Sequence, residues 1–245
     1  MQLYFIRHGQ SANNAGWENP DYKQHPDPPL TELGIEQAQI LAGFLGQNQA
    51  LKKIDGWNAQ NRHGFGVTRL YASLMERAAH TGSYIAHELQ VPFEAWDIHE
   101  SGGIFGRDGN KEHEQLSGRP RSFFVSNFPE FGLPETLGES GWWNRPFETE
   151  EECGKRAEGI WSDLLTRHGD RDSHTEERIA LVSHGGFFVH LMSVILDMPW
   201  KNASQGLKSW FLLNNCSISR IDVRKDHAVI CYLNRTDHLP DHMIT

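Results

Sequence analysis

Two histidines stand at the ends of short apolar runs, and each is followed by glycine. One is His8, in Phe5-Ile6-Arg7-His8-Gly9; the other is His184, in Leu181-Val182-Ser183-His184-Gly185-Gly186. In open α/β sheets, sites form beyond the carboxyl ends of strands. Two imidazoles delivered there can face each other across one pocket, and a following glycine lets backbone approach a ligand closely. An unprotonated imidazole near neutral pH is a nucleophile; a protonated one holds an anion. Arginine forks bind phosphate oxygens bidentately, which lysine cannot do. Phosphoryl transfer is mostly positioning and electrostatics. Two arginines and one protonated histidine supply the required charge without a metal. A covalent phosphohistidine would split hydrolysis into two easier displacements, with a carboxylic acid protonating the leaving oxygen.

These side chains need elements to hold them. Leu3 to Ile6 reads as a buried strand, followed by a polar loop from Arg7 to Pro29. Thr31 reads as the N-cap of a helix with apolar positions at Ile35, Ala38, Leu41, Ala42 and Leu45, ended by Gly46. Val67 to Ser73 is a second strand, and Glu76 to Leu89 a helix. Thr149 and Glu152 have capping-box spacing for a helix to about Arg167. Ile179 to Ser183 is a third strand, followed by a helix over Phe187 to Leu196. Ser217 to Val223 and Ala228 to Leu233 read as final strands. Strands alternating with helices, with continuously apolar strands, imply a three-layer α/β/α sandwich around a mostly parallel sheet. The whole chain, 1–245, reads as one domain.

Residues 105–148 break the pattern. Gly, Pro, charged and aromatic residues mix there without period, and so long an irregular stretch inside a domain is usually functional. An inserted lid capping the site is the expectation. Its aromatics (Phe123, Phe124, Phe128, Phe131, Trp142, Trp143, Phe147) either cover the pocket and stack on an organic leaving group, or form a satellite core. Arg119 and Arg121 contact a second anionic group or face water.

The net charge of −9 over 245 residues argues against a nucleic-acid partner. No run of about 18 apolar residues is present, so no membrane span is expected. The N-terminus lacks the basic start and long apolar stretch of a secretion signal. Cys153, Cys216 and Cys231 are odd in number and widely spaced, which gives no disulfide framework or zinc spacing. A cytoplasmic location is the simplest reading. Oligomeric state is not legible.

Arg-His-Gly occurs three times, at 7–9, 62–64 and 167–169. The last suits a helix C-terminus and the middle one a solvated turn, so the tripeptide alone carries little. Its context carries more. Arg7-His8-Gly9-Gln10-Ser11 is followed by Asn14; then come Leu30-Thr31-x-x-Gly34-x-x-Gln37-Ala38, Ser73-x-x-x-Arg77-Ala78-x-x-Thr81, Glu100 near Gly102-Gly103, and Ser183-His184-Gly185. In this order the chain resembles the histidine phosphatase superfamily, in its phosphoglycerate mutase-like branch. The resemblance implies that His8 is the phosphoryl-accepting nucleophile, that Arg7, Arg77 and His184 hold the phosphate, and that Glu100 is the general acid. Gly9, Ser11, Asn14 and Gly185 would line the substrate pocket.

The activity so implied is metal-independent and cofactor-free hydrolysis of a small organic phosphomonoester through a phosphohistidine. The alternatives are a cofactor-dependent phosphoglycerate mutase and a non-catalytic module binding a phosphorylated ligand. Mutases of the family carry Glu-Arg-x-Tyr-Gly around the acid and a paired arginine segment. Here the sequence is His99-Glu100-Ser101-Gly102-Gly103, and Pro120 separates Arg119 from Arg121, so a phosphatase is favoured. Each residue also has a plainer reading: His8 as core histidine, Arg77 as a surface partner of Glu76, and Ser11 and Asn14 as turn formers. Glu100 could be an exposed loop carboxylate, with Asp97, Glu94 and Glu139 as substitutes. His238 and His242 are read as part of a solvated tail, not a metal site.

Overall fold

The computed structural model describes residues 1–47, 58–106, 114–169, 177–198, 210–224 and 227–245. A six-stranded sheet organises them. Its strands are β1 (Gln2–Arg7), β2 (Arg69–Ala72), β3 (Phe93–Ala95), β6 (Arg178–Ser183), β7 (Ile218–Arg224) and β8 (His227–Arg235), in the order β3-β2-β6-β1-β7-β8. The first four lie parallel, and β7 and β8 close one edge antiparallel. Phe105–Gly106 (β4) and Glu114–Gln115 (β5) form a separate two-stranded ribbon.

Helices cover both faces. Along β1, Tyr4 and Ile6 join a core with α2 (Glu32–Gly46) and α3 (Glu76–Leu89). Leu3 and Phe5 join the opposite core with α5 (Glu150–His168) and α6 (Gly185–Ile195). A period of two thus splits one continuously apolar strand between two cores, as a doubly covered sheet requires. The three-layer sandwich expected from the sequence is the observed architecture. Thr31 accepts the Gly34 amide at 3.0 Å, and Thr149 and Glu152 form a reciprocal capping box.

Three details differ from the sequence reading. The polar loop after β1 contains a helical turn, α1 (Ala12–Ala15), capped by Ser11. The 105–148 segment carries the two-stranded ribbon and α4 (Arg121–Asn127), so it is not structureless; residues 107–113 lie outside the described ones. The tail is solvated only in part: Pro240, Asp241 and His242 are exposed, but Leu239 and Met243 are buried and His238 stacks on Phe44 at 5.0 Å. The three cysteines are free thiols. Among the described residues, no helix is long and apolar enough to cross a membrane.

Candidate active site

The strand order puts β1 beside β6 with Arg7 opposite Ser183. His8 and His184, the next residue in each strand direction, therefore emerge side by side. Their rings lie 5.1 Å apart, centroid to centroid, and both residues are buried. Backbone hydrogen-bonding tightens this join: the His8 amide donates to the Ser183 carbonyl at 3.1 Å.

The His8 ring is oriented from both ends. Nδ1 lies 2.7 Å from the Gly9 carbonyl, so it carries the proton and donates. Nε2 is then the lone-pair nitrogen, and it accepts from Arg77 Nε at 3.0 Å. Burial, then Arg77 and Arg7, push His8 well below its ordinary value of 6.5. The ring is neutral at neutral pH, with its nucleophilic nitrogen aimed at a guanidinium.

His184 is also held neutral, by burial first and then by Arg77 and His8. With both imidazoles held neutral, the positive charge beside them is that of the arginines. His184 Nε2 pairs with Ser73 Oγ at 3.0 Å.

Arg77 is the first-turn residue of α3 and is buried. It does not pair with Glu76, which binds Arg119 instead. Behind it lies Asp27, a buried carboxylate that sequence reasoning missed. Asp27 Oδ1 is 3.6 Å from Arg77 Nη1, and both its oxygens accept the Glu76 amide, at 3.1 and 3.3 Å. It thus caps α3 from a distant loop while facing the guanidinium. Burial pushes the Asp27 carboxyl up to about 6, against the pull of Arg77. Its only sequence signal is position: His25-Pro26-Asp27-Pro28-Pro29 is a rigid stretch in an otherwise polar loop.

Arg7 donates from Nη1 to the Leu213 carbonyl. Among the described residues, three buried nitrogens find no hydrogen-bond partner: Arg7 Nε, His184 Nδ1 and Arg77 Nη1, the last facing Asp27 at 3.6 Å. Unsatisfied buried donors cost roughly 1–3 kcal/mol each. The Arg77 guanidinium and the His184 ring lie against the His8 imidazole, an arrangement suited to receiving oxyanion oxygens.

Glu100 lies at the other wall. Its Oε1 accepts the Ser101 amide at 2.9 Å and the Phe187 amide, in the first turn of α6, at 3.1 Å. A Cβ on Gly186 would sit 2.2 Å from that oxygen, so a larger residue there would displace the Glu100 carboxylate. Gly185, by contrast, has open space around it. The substitutes for Glu100 are engaged elsewhere: Asp97 with His99 and Arg145, Glu94 with Arg69, and Glu139 with Ser122. Glu100 and Arg77 line one cavity of about 350 Å³, together with Asn14, Met75, Ser101 and Gly103.

Gly9 is needed where it stands, because a Cβ would meet the Gly34 carbonyl oxygen at 2.4 Å; its amide donates to Thr81 Oγ1 at 3.1 Å. Ser11 and Asn14 are turn formers and more. They form the α1 capping box, and Asn14 Oδ1 accepts from Asn215 Nδ2, which also donates to the His8 carbonyl at 2.9 Å. Asn215 is a second residue the sequence did not flag.

The aromatic segment splits between its two readings. Phe124, Phe128 and Phe131 join the core over α3, and Trp143 packs with Met75 and Ile104. Only Phe105, edge-on to Phe147 at 4.9 Å, reaches the cavity wall among its described aromatics. Arg121 donates to the Pro134 and Leu137 carbonyls, so neither it nor Arg119 supplies a described anion subsite.

The depressed histidines have a testable consequence. A group with a lowered folded pKa stabilises the fold above its unfolded value, and that contribution is lost as pH falls. Unfolded His8 and His184 take up protons near 6.5 and the folded ones do not. The Tm of the ligand-free protein should therefore fall as pH drops from about 7 to about 5, and His184→Gln should flatten that slope. Asp27 works in the opposite direction between 3.8 and about 6. An unchanged slope in the variant would show that His184 is not held neutral.

Comparison with known proteins places this geometry. A family model, histidine phosphatase superfamily (branch 1), matches residues 3–236. The adenosylcobalamin/alpha-ribazole phosphatase of Escherichia coli K12 is 26% identical over 239 residues, covering 96% of each chain. A probable phosphoglycerate mutase of Yersinia pestis is 26% identical over 231 residues, covering 92% of this chain and 86% of its own. Among solved structures, a mycobacterial glucosyl-3-phosphoglycerate phosphatase shares the fold, with a TM-score of 0.59 at 16% identity over 96% of this chain and 99% of its own.

Proposed function

The chain belongs to the histidine phosphatase superfamily, branch 1, and from that premise we propose that it hydrolyses a small organic phosphomonoester through a phosphohistidine on His8. One observation carries the reading: a neutral His8 turns its lone-pair nitrogen to Arg77 Nε at 3.0 Å, with the His184 ring 5.1 Å away. On substrate entry, Arg77 exchanges its bond to His8 Nε2 for a phosphoryl oxygen. Nε2 then attacks phosphorus as the ester P–O bond breaks, and Glu100 gives its proton to the leaving oxygen. Water next attacks the phosphohistidine, Glu100 takes the water proton, and the P–N bond breaks to release phosphate and restore His8. Each step uses only side chains of the cup. The charge that develops on the transferring group meets two guanidiniums already in place.

The phosphatase reading is favoured over the mutase reading by Arg119 and Arg121, which are bound to Glu76 and to backbone carbonyls. The test is release of phosphate from a panel of phosphomonoesters with a chelator present. Turnover undiminished by the chelator is the expected result; no release from any ester would overturn the proposal.

The acid assignment has its own signature. Glu100→Gln should lower kcat by about 10²–10³ for alkyl phosphates, whose leaving oxygen needs a proton. For nitrophenyl phosphate, whose leaving group departs as an anion, the loss should be far smaller. Equal losses for both would remove Glu100 from the acid role.

A further inference from the structure

Two tryptophans stand at the mouth of the cavity that Arg77 and Glu100 line. Trp17 follows α1 and is 72% exposed, and Trp210, just before the Leu213 carbonyl that Arg7 binds, is 68% exposed. Indoles are rarely left this open, because each displays a large apolar face to water. They are not spare core residues. Both lie on the wall of one cavity, continuous with the phosphate cup.

The rest of that rim is uncharged or already committed. Asn13 is tied on both sides of its amide, donating to the His25 carbonyl and accepting the His25 amide and the Tyr22 hydroxyl. His25 Nδ1 accepts the Asp27 amide at 3.1 Å. Among the described residues lining the cavity, the guanidinium is that of Arg77, which the phosphoryl group takes. A leaving group with a carboxylate would meet Glu100 on one wall and no second described cation. A flat, uncharged, apolar-faced group would cover two indoles.

Resting on the phosphatase reading above, we propose that Trp17 and Trp210 select substrates whose leaving group carries an uncharged aromatic ring system, bound by stacking at the mouth while the phosphate enters the cup. The class is that of a nucleoside or similar heteroaromatic ribosyl alcohol, rather than a phosphorylated carboxylic acid.

Adenosine 5′-monophosphate and ribose 5-phosphate test this with the leaving oxygen held nearly constant, since both lose phosphate from a primary ribose hydroxyl. Stacking of one base on an aromatic side chain is worth about a tenfold or greater change in affinity. Wild type should prefer the nucleotide in kcat/KM by about 10- to 100-fold, mainly through KM, with 3-phosphoglycerate poorest. Trp17→Ala and Trp210→Ala should each cut that preference by about tenfold and leave ribose 5-phosphate within about twofold, while Trp17→Phe keeps most of it. Both side chains are exposed, so the variants should keep the fold. Equal kcat/KM for the two esters in wild type, or a preference that survives both alanine variants, would overturn the inference and leave the phosphatase intact. Absence of turnover on every ester would instead overturn the phosphatase, and the stacking proposal with it.

Discussion

His8→Ala should leave a folded protein that releases phosphate at least about 10³-fold more slowly than wild type and forms no covalent phosphoenzyme. The side chain lost is the one whose lone-pair nitrogen is fixed by a proton on the opposite nitrogen. Without it the two-step path is closed, and only direct attack by water remains, assisted by the arginines. On the proposed roles, substrate affinity should survive, because Arg7, Arg77 and His184 would still hold the phosphate. It should even rise, since removing the ring frees Arg77 from its bond to Nε2. A phosphate-binding titration separates the outcomes: retained binding without turnover identifies His8 as nucleophile, and near-normal turnover removes it from the mechanism.

Arg77→Ala should lower kcat/KM by about 10³-fold or more, the range over which arginines facing a transferring phosphoryl group act. Two losses coincide. The transition state loses a fixed cation in a buried site, and Asp27, ionised at neutral pH and buried, loses the positive charge it faces at 3.6 Å. Its carboxyl, already pushed up to about 6 by burial, should rise further in the variant. Arg77→Lys should recover only part of the rate, because an ammonium cannot present a fork to two oxygens. Asp27→Asn tests the support separately: it should weaken activity with a smaller effect than loss of Arg77 itself. A full-rate Arg77→Ala enzyme would contradict the site as described.

What could be read from the residues follows their physics. The His-Gly strand ends were legible because continuous apolar runs announce buried parallel strands, and parallel strands present their carboxyl ends together. Arg77 and Thr81 were legible as one motif, and the structure gives the reason for the spacing: one turn of α3 separates the guanidinium on His8 from the hydroxyl on the Gly9 amide. Asp27 and Asn215 were not legible. Each meets its partner across a long chain separation, from loops without periodicity. The exposure of Pro240, Asp241 and His242 is legible from their types; the anchoring of the tail is not. Yet Met243 is buried, and its carbonyl takes Gln37 Nε2 at 2.6 Å, while Gln37 Oε1 takes the Gln10 amide. That chain of bonds ties the tail to the loop after His8. The exposed tryptophans escaped notice because exposure is a property of the fold, not of the residue type.

Rapid quenching of the wild-type enzyme with a phosphomonoester, followed by mapping of the labelled peptide, tests the central claim most directly. The account predicts an acid-labile, base-stable phosphoryl group on the ring of His8, formed without added metal and absent when His8 is replaced. A phosphoryl group on another residue, or steady turnover with no covalent phosphoenzyme at any quench time, would contradict it.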